Sequence, residues 1–415
     1  MMPRLAYVVL WFPKPSETFV FDEVIALRRL GVPLRVFTLY GRRVRGLSAD
    51  MLDSGAPVET AGLALLARLV GDWGGWRRSN PDIVRRLWRT VPFRSWGGWE
   101  RTGENVWAFL YGFHLARRCV ANGIQHIHAP WAGGPATAAW CASRLTGLPF
   151  SFSAHAADIY PPDGALEEKI RASAFVRSEN RHNIPHLQRQ AADQAAKFHV
   201  IHNGHRVQVG EPAAVPMTPP FRILALGRLV RKKGFDVLLR AAALLKARGL
   251  DFRLLIAGSG PMELPLRALT RRLGLAHQVE FPGFLTRDRV PAFLRAGDVL
   301  VMPSVVMPSG DRDGIPNVIL EALLHRLPVV ATDVGGITEV IQDGETGWVV
   351  PPRDPGALAG ALGRVLGRRA MALEVAERGR QRVTRDFNLE TCCLDLRRLF
   401  ELAAAPGPSP GDRHG

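Results

Sequence analysis

The sequence predicts an α/β protein of two domains, each a parallel sheet with helices on its faces. Three observations carry this. The chain has 415 residues, 47% of them hydrophobic, enough for two domains with their own cores. Short apolar runs rich in β-branched residues alternate with helical patterns, first through the N-terminal half and again after residue 220. Between the two series lies a proline-rich stretch, Glu211 to Pro220 (EPAAVPMTPP). On this reading residues 1–210 form the first domain, 211–220 the linker and 221–385 the second domain. Residues 386–405 form a closing helix, and 406–415 (PGPSPGDRHG) a disordered tail.

Taken in order, Ala6–Leu10 is a first strand, followed by the loop WFPKPSET, the helix Phe19–Leu30 and the strand Leu34–Leu39. The apolar N-terminal run is short for a signal peptide and lacks a small-x-small cleavage site, so it reads as a buried strand. Residues 41–106 break the alternation. Trp73, Trp76, Trp88, Trp96 and Trp99 fall among Arg77, Arg78, Arg85, Arg86 and Arg89, and Pro81–Val91 has an apolar stripe with arginines opposite. Two readings stay open: a helical insertion packed on the domain with a solvated basic face, or a basic surface with Trp anchors for an anionic membrane.

The alternation resumes with the helix Val106–Ala121, the strand Gln125–His128, the helix Pro135–Thr146 and the strand Phe150–Ser153. Phe175–Ser178 and Phe198–His202 are the last strands of the first domain. The second runs Phe221–Leu226, the helix Phe235–Arg248, then strands Phe252–Ala257, Val279–Phe281, Val299–Met302, Val329–Thr332 and Trp348–Val350. Helices follow through Phe387, and Leu389–Ala403 is amphipathic.

Lys and Arg number 54 against 38 Asp and Glu, a net charge of +16, which points to anionic partners. No run approaches the ~18 apolar residues of a membrane-spanning helix. Cys119, Cys141, Cys392 and Cys393 form no CxxC and suit a reducing compartment, so a cytoplasmic protein is expected. No zinc finger or aromatic RNA-binding signature is visible, and no nucleic acid is expected as partner. His126 and His128 share a strand face, but lack a third ligand nearby for a metal.

The chemistry concentrates in Pro303 to Ile341. Asp313 stands ahead of a helix start, Gly314-Ile315-Pro316-Asn317, with proline suited to the first helical position. Glu321 follows eight positions later. Free backbone N–H groups at that start make an anion site flanked by two carboxylates, a set suited to phosphate and sugar hydroxyls. Gly227, Arg228 and Lys233 lie in a glycine- and base-rich loop between a strand and a helix, a phosphate cradle. His155 stands just beyond a strand, where parallel sheets gather functional residues. Plainer roles remain for each: a capping acid, a solvated helix acid, a basic rim and a core histidine. Asp311-Arg312-Asp313 also reads as a DxD metal pair, but that belongs to a single-domain mixed-sheet architecture.

Together, the run HIHAPWAGGPATAAWCASRLTGLPFSFSAHAADIY, the loop GRLVRKKG and the Asp313-x7-Glu321 pair resemble the retaining glycosyltransferases of family 4, in particular the exopolysaccharide and colanic-acid-type subgroup. Most members begin the acidic pair with Glu; Asp313 stands here. The resemblance implies the GT-B architecture: two Rossmann-like domains facing a cleft, with the C-terminal helix crossing back to the first. It implies a retaining, metal-independent transferase that needs no cofactor. Such an enzyme moves a sugar from a UDP- or GDP-linked donor to a hydroxyl of a saccharide or lipid-linked acceptor in cell-surface or exopolysaccharide synthesis. The matching residues would be His155 and Asp313 beside the donor sugar, Arg228 and Lys233 on the diphosphate, and Glu321 on the ribose. Gly227, Gly314, Ile315, Pro316 and Asn317 would line the donor site, with Phe284 in the loop whose main chain takes the base. The Ser16-Glu17-Thr18 run would face the cleft on the acceptor side. The alternatives are a catalytically silent GT-B scaffold and a basic protein that binds nucleic acid or membrane.

Overall fold

The structure, a computed structural model, describes residues 2–41, 46–61, 65–161, 163–206 and 218–404. The first sheet contains β1 (Leu5–Val9), β2 (Leu34–Thr38), β3 (Val58–Thr60), β4 (His126–Ala129), β5 (Phe150–Ala154), β6 (Phe175–Ser178) and β7 (Phe198–Val200). The second contains β8 (Phe221–Leu226), β9 (Phe252–Ala257), β10 (Val279–Gly283), β11 (Val299–Met302), β12 (Val329–Thr332) and β13 (Trp348–Val350). Their orders are β3-β2-β1-β4-β5-β6-β7 and β10-β9-β8-β11-β12-β13, with every pairing parallel. Parallel strands covered on both faces read as unbroken apolar runs; LAYVV of β1 and VLVM of β11 are buried throughout.

In each sheet the strand order reverses at one point, between β1 and β4 and between β8 and β11. A crevice opens outside the carboxyl ends of the strands at such a point. This is the GT-B fold, with the two crevices turned toward one cleft.

The stretch 41–106, which breaks the alternation in the sequence, holds one short strand among its described residues. It supplies β3, whose three residues pair with β2 in the register Val36↔Val58. VET is too short and polar to announce itself as a strand. The helix expected from Val106 begins at Trp99 and runs to Ala121. Its first turns, WERTGEN, carry no apolar stripe and are helical because tertiary contacts hold them.

Of the five tryptophans left open between core and membrane, four pack on the core. Trp96 is 1% exposed, and Trp73, Trp76 and Trp88 pack half-buried against the first domain's core. Trp88 meets Trp73 and Phe109 edge to face, and Trp76 Nε1 donates to Phe113 O at 3.1 Å. Trp99 alone of the five is exposed, at 88%.

The C-terminal helix, Leu389–Ala404, crosses back as expected. Leu389, Cys393, Leu396 and Phe400 pack with Leu5 and Tyr7 of β1 and with Val20 and Val24 of the helix Thr18–Arg29. Arg397 fixes its register by donating to Leu30 O at 2.9 Å. Most of the linker read at 211–220, and the tail at 406–415, lie outside the described residues. Among the described residues no helix is long and apolar enough to cross a membrane. The four cysteines are buried free thiols.

Candidate active site

A cleft of about 670 Å³ lies between the two domains. From the second domain, β8 runs into Gly227 and Arg228, which line it. The loop then turns at Gly234, where φ is +65° and a Cβ would stand 1.9 Å from Pro303 O. Only glycine passes there, and the close approach sets Lys233 beside the loop that follows β11. Lys233 Nζ lies 2.9 Å from Asp313 Oδ2, and Ser304 Oγ donates to the same oxygen at 2.5 Å. Lys232 pairs with Asp311 Oδ1 at 2.9 Å. Asp313 is 7% exposed. Burial alone would raise its carboxyl, but the Lys233 and Lys232 ammoniums outweigh it and hold the group below the ordinary carboxylate range. Arg228 is exposed on the cleft, and its guanidinium has no partner among the described residues.

The helix expected at Pro316 starts at Asn317, with Pro316 in the capping position at φ −62°, ψ 122°. An extended ψ keeps proline outside the first helical position, one residue earlier than its preference suggested. Gly314, Ile315, Pro316 and Asn317 line the cleft, as does Glu321. Burial pushes the Glu321 carboxyl up, opposed by His205 and Arg287. Each carboxylate of the DxD is thus held by a lysine, and among the described residues no group of three or more His, Cys, Asp or Glu is placed to hold a metal.

The first domain contributes His155, just past β5. Its Nδ1 lies 2.9 Å from Glu179 Oε2; Nε2 is buried with no partner among the described residues, and the residue lines the cleft. Burial pushes the imidazole pKa down, but the Glu179 carboxylate pushes it up further, and the net shift is upward. Glu179 itself is held below its ordinary range by His155 despite burial. Asn203 Nδ2 donates to Glu179 at 3.0 Å and Arg177 donates to Asn203 at 3.0 Å. Arg177 in turn pairs with Glu23, which accepts from Tyr7 Oη at 2.6 Å. The imidazole also packs on Trp131 and Phe19, with ring centroids 4.5 and 5.2 Å away.

Glu179 escaped the sequence reading because a single Glu in RSEN forms no motif. The available signal was its position directly after β6, matching His155 after β5. Ser16, Glu17 and Thr18 line the cleft at the start of their helix, with Glu17 held by Lys14 at 2.5 Å. Phe284 stands apart from the other proposed site residues. It is 48% exposed, just beyond β10 and beside Gly46, and is not in the cleft wall. His126 and His128 share Ser151 Oγ at 2.7 and 2.8 Å beneath Phe175 and Phe400. Burial lowers His126 to about 3, so this pair is a neutral element of the core.

The domains meet at the site. A Cβ on Gly314 would stand 2.0 Å from Glu179 Oε1, and one on Gly336 would stand 2.8 Å from Asn180 Cβ. These glycines let Glu179 and Asn180 seat directly against the loop of Asp313. Arg287 grips both oxygens of Asp22 at 2.7 and 2.8 Å, and Arg312 lies 4.1 Å over the Tyr160 ring.

Comparison with known proteins agrees with this architecture. Residues 220–368, most of the second domain, match the family model of glycosyl transferases group 1. WcaL of Salmonella typhimurium, a protein assigned to colanic acid biosynthesis, is 38% identical over 183 residues, 44% of this chain and 45% of that one. The amylovoran biosynthesis glycosyltransferase AmsK of Erwinia amylovora is 33% identical over 185 residues, 45% and 46% of the two chains. The matches thus span about half the length of these relatives. Alr3699/HepE of Anabaena, solved with UDP and glucose, superposes with a TM-score of 0.70 at 17% identity, covering 97% of this chain and 100% of the other.

Proposed function

We propose that this chain is a glycosyltransferase of exopolysaccharide biosynthesis. It moves a sugar from a nucleoside diphosphate donor, UDP- or GDP-linked, to a hydroxyl of a saccharide or lipid-linked acceptor. The observation that carries this reading is one cleft holding an unpartnered Arg228, Lys233 and a helix start on one side, with His155, Asp313 and Glu321 around them. The names of WcaL and AmsK support the biosynthetic context.

The chemistry follows from those groups. Arg228, Lys233 and the N–H groups near Asn317 face the charge that grows on the departing diphosphate, and fixed positive groups aimed at developing charge are a large catalytic contribution. His155, held through Nδ1 by Glu179, presents Nε2 to the sugar, and Glu321 receives the ribose hydroxyls. Asp313, tied to Lys233 and Ser304, is poorly placed as a covalent nucleophile. That supports same-face attack by the acceptor as the phosphate leaves, and hence retention. With the DxD carboxylates occupied by lysines, the reaction runs without a metal. The free thiols favour a cytoplasmic location.

A thermal-shift screen of UDP, GDP and their sugars in EDTA tests this. A nucleotide at about 100 times its Kd stabilises the native state by about 2.7 kcal/mol. Asp313→Asn is expected to lower turnover more than plain nucleotide affinity, and Glu321→Gln to lower both. No shift with any nucleotide, or a strict metal requirement for transfer, would overturn the reading.

A lipid-linked acceptor would bring the enzyme to a membrane. Arg68, Arg77, Arg78, Arg85, Arg86 and Arg89 are exposed on the helices Leu66–Ser79 and Pro81–Thr90, with Val70, Phe93 (81% exposed) and Trp99 near them in sequence. Each basic residue near an anionic leaflet contributes about 1 kcal/mol, weakened by salt. The protein is therefore expected to sediment with anionic vesicles at low salt. Phe93→Ser with Trp99→Ser should make that binding fully salt-reversible. Wild type left in the supernatant would favour a soluble acceptor.

A further inference from the structure

The cleft continues beyond the phosphate-facing groups to a wall built by the start of the helix Trp99–Ala121. Glu100 and Glu104 stand one turn apart on it and both line the cleft. Glu104 accepts the Gly134 N–H at 3.0 Å, at the start of the helix Gly134–Thr146, yet burial pushes its carboxyl up. Asp163 lines the same end and is held by Lys169 at 2.8 Å. Lys169 is completely buried, donates also to Ala132 O at 2.8 Å, and sits 5.3 Å from the Trp96 ring centre. Trp96, itself almost fully buried, lines the cleft, and its indole Nε1–H has no partner among the described residues. Trp131, against His155, likewise lines the cleft with an unpartnered Nε1–H.

Two buried indole donors without acceptors are a standing cost that a ligand oxygen relieves. Indoles beside carboxylates suit a pyranose, which has an apolar ring face and a belt of hydroxyls that both donate and accept. An acidic sugar would instead meet the exposed carboxylate of Glu100 and the more buried Glu104 and Asp163. The cations there already face the protein's own acids: Lys169 holds Asp163, Lys14 holds Glu17, and Lys14, Lys169 and Arg101 all act on Glu104. Like charges brought together at low dielectric repel strongly.

We propose that this end of the cleft is the acceptor subsite, and that its acidic wall selects an uncharged pyranoside over a uronate of the same ring. The proposal rests on the glycosyltransferase reading and names the acceptor chemistry it leaves open. It also gives the start of the Trp/Arg-rich region's long helix a role in binding substrate.

The test uses the full chain, saturated with whichever nucleotide shifts its melting. Octyl gluco-, galacto- and mannopyranoside are each compared with the matching octyl uronide by saturation-transfer NMR titration. At least one neutral glycoside is expected to bind, with its uronide about tenfold weaker or more. Glu100→Gln with Glu104→Gln should shrink that gap to about threefold or less, and the side-chain amide oxygen left at position 104 can still accept the Gly134 N–H. Trp96→Phe keeps a ring but removes the donor, and should weaken the neutral glycoside about fivefold with nucleotide affinity unchanged. Uronides that bind as tightly as neutral glycosides, or no glycoside binding while nucleotide binds, would overturn the subsite and leave the glycosyltransferase reading standing. Failure of nucleotide binding as well would overturn both.

Discussion

Lys233→Ala is expected to lose both fold stability and nucleotide binding. Asp313 is nearly buried, and Lys233 is the cation 2.9 Å from its Oδ2. Removing one partner of a buried pair leaves the other charge uncompensated, at a cost of about 3–5 kcal/mol. Ser304 and Lys232 soften this without replacing the ion pair. Nucleoside diphosphate affinity should fall about tenfold or more with the lost charge-assisted contact. Adding Asp313→Asn to Lys233→Ala should recover most of the stability and none of the affinity. The Asp313 carboxyl is held below its unfolded value. Its contribution is therefore present above about pH 3.9 and lost as pH falls through the folded value. That acid limb should be shallower in the double variant. Urea melts across pH and calorimetric titration with nucleotide check these outcomes. A Lys233→Ala protein as stable as wild type would show that the pair carries no weight.

Glu179→Gln is expected to lower transfer about 10–100-fold, the size of loss seen when the partner that orients a metal-bound histidine is removed. The wild-type imidazole is raised above its ordinary value because the Glu179 charge outweighs burial. Its stabilising contribution is fully present below about pH 6.5 and is lost as pH rises through the folded value. Glu179, held low, contributes above about pH 4.3 and loses that contribution as pH falls through its own folded value. With glutamine at 179, burial and the Arg177 charge lower His155 against the Asp158 carboxylate alone, and its pKa is expected to drop below the unfolded value. Its contribution is then present above about pH 6.5 and lost as pH falls, so the sign of the histidine's effect on stability reverses. The limb of the rate profile that reports His155 should move to lower pH, with nucleotide affinity nearly unchanged. NMR titration of the imidazole and a pH–rate profile read both. An unmoved limb would make Glu179 a packing residue only.

The strands were the most legible part of the sequence. Val299–Met302 and Trp348–Val350 match the sequence reading to the residue, because strands covered on both faces leave unbroken apolar runs. The helix start at Trp99 and the short β3 were not legible, since neighbours far along the chain hold them in place. Within the cleft, Asp313, Glu321, Arg228, Lys233 and His155 stood out because each lies at a strand or helix end in a patterned loop. Glu179 depends on a fold-level fact, that β6 lies beside β5 and ends level with it. The tryptophans left two readings open for a related reason. Burial and membrane contact select the same side chain, and only the packing of Trp88 on Phe109 and Trp73 separates them.

The returning C-terminal helix also sets the order of assembly. Residues 389–400 complete a core whose other members include residues 5–36, so this core cannot close until the last described helix has been made. Until then β1 and the helix Thr18–Arg29 show an uncovered apolar face while some 360 further residues emerge at about 5–20 residues per second. Contacts of such long sequence separation slow folding. A chain ending before Leu389 should therefore aggregate or bind chaperones even though its cleft residues are all present.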